Sequence, residues 1–170
     1  ERLRTIVRPL SRMKSPLKKL LAGAGAGLAA TAPMTAFMQA AWQFLPTREK
    51  QPLPPRQITR KVVTELGATW LHGEKQQVGL TLLSHFSFGA LAGSAYGMIE
   101  DRVPLASSIK GLLAGLAVWT GSYLGWLPAL GILPPATTHP WRRNLLMIIA
   151  HIVWGLSLGV LARQLNAKRQ

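Results

Sequence analysis

The sequence predicts an all-α, polytopic membrane protein with four transmembrane helices. Two observations carry this. Charge is segregated: the six acidic residues (Glu1, Glu49, Glu65, Glu74, Glu100, Asp101) and the twenty lysines and arginines lie at or beyond the ends of the long apolar runs. A soluble helical protein scatters charge along every exposed helix face. The runs themselves, near 20–45, 78–99, 109–130 and 145–161, have the length a bilayer core demands, and a helix satisfies its own backbone there. The overall 48% hydrophobic content averages over this segregation. At 170 residues the chain is one domain.

Residues 1–19 form a basic N-terminal arm with seven lysines and arginines, among them Arg8, Arg12, Lys18 and Lys19. Such an arm lies on anionic lipid headgroups or serves as a solvated tail that fixes orientation. Residues 20–162 form the transmembrane domain. Its first span steps through Gly23, Gly27 and Thr31 with alanines beside them, a pattern that lets two backbones approach closely in lipid. Pro33 should kink it or free a carbonyl. In the connection that follows, prolines 46, 52, 54 and 55 impose extended chain. Ile58, Val62, Leu66 and Trp70 then recur every four residues. That spacing predicts a short amphipathic helix near 57–71, lying in the membrane interface with Trp70 as an anchor.

The second span carries His85, Gly89 and Gly93, and the fourth carries His151, Gly155 and Gly159. Residues four apart stack on one helix face, so each set is a strip with one imidazole and two bare backbone patches. The short link at 100–108 makes the second and third spans antiparallel neighbours. The third span contributes Gly111 and Gly115 to helix packing and places Trp126 at the interfacial belt. Trp141, Arg142 and Arg143 mark the entry to the fourth span at the lipid interface, and 163–170 is a basic tail.

The halves resemble each other. Each reads as span, Pro-Pro connection (LPPR at 53–56, LPPA at 133–136), span with a His-Gly-Gly strip. This predicts two parallel helical hairpins related by an axis along the membrane normal. With four spans both ends share one side. That side holds 12 lysines and arginines against 8 on the other, which puts both termini in the cytoplasm.

Few chemistries fit. Without cysteine there is no thiolate nucleophile or metal ligand. Ser84 and His85 are adjacent, so on a helix they point about 100° apart and do not form a nucleophile–base pair. The four histidines are too dispersed for a metal site. The net charge of +14 sits at segment ends, where it meets lipid headgroups, so no nucleic-acid partner is expected. The expectation is a non-enzymatic protein acting through helix–helix association with other membrane subunits or itself, in an accessory, assembly or stress-related role, with no cofactor. One alternative is a small transporter or channel subunit, since His85 and His151 are ionisable groups inside the membrane. Another is electron transfer through haem b ligated by His85 and His151. On the structural alternative, each histidine is a hydrogen-bonded tie to a neighbouring helix.

LPPR in the first connection, GLLAGL opening the third span, and HPW followed by AHIVWG in the fourth resemble the YagU-like family of bacterial inner-membrane proteins. The resemblance implies an inner-membrane address and a four-span fold. It supplies no catalytic residues.

Overall fold

The computed structural model describes residues 16–71 and 73–167. Arg8, Arg12, His72, Lys168 and Arg169 lie outside them. The described chain is helical and contains no strand. Helix α1 spans Pro16–Gln43, α2 Pro54–Glu65, α3 Glu74–Ile99, α4 Ser107–Thr120, α5 Leu127–Ala129 and α6 Trp141–Ala167. Of these, α1, α3 and α6 are long and apolar enough to cross a membrane by length and composition. They start before the apolar runs because their first turns include interfacial residues.

The stretch expected as the third span is helical but interrupted. A π-helical segment, Gly121–Trp126, joins α4 to α5, and the backbone leaves helical geometry at Gly125 (φ −110°, ψ −108°). Two local causes coincide. Gly125 tolerates such a conformation, and Pro128 has no N–H to continue the hydrogen-bond ladder. Pro33, by contrast, lies inside a continuous α1. There the Thr31 hydroxyl donates to the Gly27 carbonyl (2.9 Å) and the Thr35 hydroxyl to the Thr31 carbonyl (2.7 Å).

In the first half of α1 the packing is small-inside, large-outside. Ala22, Gly23, Ala26, Gly27, Ala30 and Thr31 are buried on α1, while Leu17, Leu20, Leu21 and Leu28 are exposed. Lipid is as apolar as leucine, so close backbone contact drives association and bulky side chains face out. α1 packs against both α3 and α6, α4 packs against α6, and α2 lies on α3. Glycine makes the approach possible. A Cβ at Gly23 would collide with the Gly93 carbonyl, and one at Gly27 with the Gly89 carbonyl. Between α4 and α6, Gly111 faces the Gly155 carbonyl in the same way, Gly115 the His151 carbonyl, and Gly159 the Ser107 carbonyl.

Polar contacts tie the two ends of the bundle. At one end Lys19 pairs with Asp101 (2.9 Å) and Lys110 Nζ donates to the Glu100 carbonyl (2.8 Å). At the other, Arg142 pairs with Glu49 (3.2 Å) and Arg143 donates to the Pro52 carbonyl (3.0 Å). The start of α6 therefore meets the chain just after α1, and the two helices run antiparallel. Midway, Trp154 Nε1 on α6 donates to the Gly27 carbonyl on α1 (3.2 Å).

Candidate functional site

A cavity of about 210 Å³ lies where α1, α3, the π-helical segment and α6 meet. Thr31, His85, Phe88, Tyr123, His151 and Trp154 line it, and Pro55 and Ile58 of α2 form one wall. Sequence alone missed this use of α2. Its stripe divides in two. Ile58 turns toward the cavity, and the buried Thr59 hydroxyl meets Ser84 on α3 (3.2 Å). Val62, Leu66 and Trp70 point away from the protein, with Leu66 76% and Trp70 77% exposed. The helix is also shorter than the expected 57–71. It ends at Glu65, and Gly67 (φ 64°) turns the chain in a left-handed conformation suited to glycine.

The π-helical segment supplies the opposite wall. Tyr123 is buried there and meets the His151 ring edge-on, with centroids 5.7 Å apart. Trp126, expected at the lipid interface, is 40% exposed and also lines the cavity, beside Phe88 (6.1 Å) and with its indole N–H on Ser122 Oγ (3.2 Å). π-Helical turns recur at functional sites because the extra residue re-aims neighbouring side chains.

Most polar groups on these walls are satisfied. His151 Nδ1 donates to the Met147 carbonyl (2.7 Å), which leaves Nε2 as the lone-pair nitrogen. This bond runs within α6 and is not the interhelical tie expected of that histidine. Trp154 makes the tie instead. Ser84 Oγ lies between Thr59 and the Thr81 carbonyl, which it bonds at 3.1 Å. His85 Nε2 is the exception: it is buried without a hydrogen-bond partner. An orphaned polar atom in an apolar cavity is costly unless something fills its valence.

A second pocket, of about 380 Å³, adjoins the first and shares His85 and Pro55 with it. Lys50, Arg56, Gln39 and Trp42 line its outer part. The Lys50 ammonium sits over the Trp42 ring, 5.4 Å from its centroid. One guanidinium nitrogen of Arg56 is ion-paired with Glu74, while Arg56 Nε is buried without a partner.

The two histidines line one cavity, yet they are not equivalent. By backbone contacts, Gly89 corresponds to His151, Gly93 to Gly155 and Gly97 to Gly159, since Gly23 and Gly27 meet the first set as Gly111 and Gly115 meet the second. By contact register His85 therefore matches Met147, one turn from His151. Arg143 also departs from expectation. It is buried against the Pro52 carbonyl, where headgroup contact was expected. Arg142 is drawn to Glu49, while Trp141 remains 65% exposed. Among the described residues, no three histidine, cysteine, aspartate or glutamate side chains converge.

Residues 14–160 match the family described as "Protein of unknown function (DUF1440)". The chain belongs to this family. The DUF1440 chain is also similar to "Inner membrane protein YagU" of Escherichia coli (strain K12), 30% identical over 89 residues. That stretch is 52% of this chain and 42% of the relative, so the alignment spans less than half of YagU. The motifs that resembled the YagU-like family thus lie in a chain that family membership covers almost end to end. No solved structure matches it.

Proposed function

We propose that this protein is a non-enzymatic, multi-pass component of the bacterial inner membrane that binds a lipid-soluble ligand between two parallel helical hairpins. The inner-membrane address follows the name of the YagU relative and the apolar length of α1, α3 and α6. The third span in chain order, beside α1, α3 and α6, is α4 continued through the π-helical segment into α5. The repeat is supported by the common contact register: α1 meets α3 as α4 meets α6, glycine facing carbonyl.

The observation that carries the binding role is the cavity walled by α1, α3, the π-helical segment and α6 and lined by His85, whose Nε2 is buried without a partner. Association with other subunits or with itself would need small-residue helix faces free of the bundle. Gly23, Gly27, Gly89, Gly93, Gly111, Gly115, Gly155 and Gly159 meet helices of the same chain, so they do not by themselves argue for an outside partner, while Gly25 and Gly79 meet nothing within 4 Å. Against haem b stands the one-turn offset of the histidines in the contact register.

Two measurements test this. Native mass spectrometry of protein extracted in mild detergent should show a retained small amphiphile, and narrowing the cavity with Val118→Trp should abolish retention. Bare protein under all extraction conditions would sink the binding role. The visible absorption spectrum should be featureless; a Soret band lost in His85→Ala would install haem instead.

A further inference from the structure

We propose that the ligand is a single-chain amphiphile with a carboxylate head, a long-chain fatty acid, held head-first by Arg56, His85 and Lys50. This rests on the binding role above and names its ligand. Three features point to the class. The outer pocket carries two cationic side chains, Lys50 and Arg56, and no acidic residue among those lining it. The inner cavity is walled mainly by apolar side chains. The two adjoin at His85 and Pro55, so one molecule with a charged head and an apolar tail can occupy both.

The head is further specified by the two orphaned nitrogens. Arg56 Nε and His85 Nε2 are both buried and unpartnered, and both residues line the outer pocket. With its proton on Nε2, the imidazole is a donor, as is the guanidinium Nε–H. A carboxylate offers two oxygens, one for each, and such charge-assisted bonds are the strong ones. Charge balance favours a monoanion. Glu74 already pairs with Arg56, which leaves the Lys50 ammonium at the rim. The tail then enters the inner cavity past His85, toward Phe88, Val118 and Trp154. Entry is from the membrane face where Trp42 and the proline-rich connection lie.

The test is photo-labelling of the full-length protein in nanodiscs with a long-chain fatty acid bearing a diazirine near its tail end, and with the methyl ester of the same compound. The expected result is labelling inside the cavity, on α3, the π-helical segment or α6, stronger for the acid than for the ester. The double variant Lys50→Gln, Arg56→Gln should lose about tenfold or more of the acid labelling, as removal of charge-assisted bonds predicts, and leave ester labelling unchanged. Lys50→Gln alone, at an exposed side chain, should give a smaller loss in the same direction and covers the case in which the double variant misfolds. Equal labelling by acid and ester, or acid labelling unaffected by either variant, overturns the carboxylate assignment and leaves the cavity's binding role standing. Protection by a lysophosphatidate but not by unlabelled fatty acid also overturns it, in favour of a phosphate head. Labelling confined to outward residues such as Leu83 and Leu91, which line neither pocket, overturns the binding role and the ligand class together.

Discussion

At the residue scale, individual glycines have opposite roles that a sequence pattern cannot separate. Gly93 faces the Gly23 carbonyl and the Gly27 backbone, while Gly25 and Gly79 face nothing within 4 Å. Gly93→Ala should therefore force α1 and α3 apart and cost roughly 1–3 kcal/mol, the usual range for overpacking. Gly25→Ala should stabilise by about 0.5–1 kcal/mol, because alanine is the better helix former where nothing obstructs it. Reversible unfolding in mixed micelles reads both, and a destabilised Gly25→Ala would show that this face also meets a partner. Trp154 matters for a different reason. Its indole N–H on the Gly27 carbonyl is a direct polar bond between α6 and α1. Trp154→Phe should cost about 1 kcal/mol, the scale of interhelical hydrogen bonds in membranes. The small-residue steps of 23, 27, 89 and 93 were legible in the sequence because periodicity encodes them. Trp154 was not, because nothing in a single helix says which neighbour's carbonyl it will reach.

At the element scale, α2 and the connection before α6 show how a loop is fixed against the bundle. α2 was legible as an amphipathic helix, but periodicity gives a face and not what covers it. The structure gives one side, with Thr59 and Val63, to the protein and leaves Val62, Leu66 and Trp70 outward. Single cysteines at Leu66 and Trp70 should react slowly with an aqueous maleimide in liposomes and quickly in detergent-free unfolding conditions, whereas Arg60→Cys should react quickly in both. Equal rates in liposomes would remove α2 from the interface. In the second connection, His139 has its imidazole pKa held below the ordinary 6.5, first by burial and then by the Arg143 guanidinium, with a bond to the Pro134 backbone opposing both. The unfolded chain thus binds more protons than the folded one between the folded value and 6.5, and stability rises with pH there. Its contribution is present above pH 6.5 and is lost as pH falls through that value toward the depressed one. His139→Gln should flatten the pH dependence of unfolding between pH 7 and pH 5, in comparison with wild type; an unchanged slope would assign the dependence elsewhere.

At the scale of the whole molecule, the apolar lengths and the order of helices were visible in the sequence, and the register in which the helices meet was not. Matching histidine to histidine is the natural choice on paper, since histidine is rare in a span and glycine is common. Packing selects differently. What coincides between the α1–α3 and α4–α6 contacts is bare backbone facing a carbonyl, and that condition pairs Gly89 with His151. The π-helical segment was hidden for a similar reason: Gly121, Gly125 and Pro128 permit a break, but only the walls of the cavity give it a role. The polar contacts at the two ends have a consequence for topology. Lys19 with Asp101 and Lys110 with Glu100 gather at one end, and Glu49 with Arg142 and Pro52 with Arg143 at the other. If the first end is cytoplasmic, as the distribution of lysine and arginine favours, a membrane-impermeant thiol reagent on intact cells should label cysteines placed at Thr47 and Gly131 and spare one at Val103. The reverse pattern would invert the protein in the membrane while keeping the fold. Labelling at Thr47 without Gly131 would mean that α4, the π-helical segment and α5 together do not cross, and the molecule would have three spans with one hairpin folded back at the membrane surface.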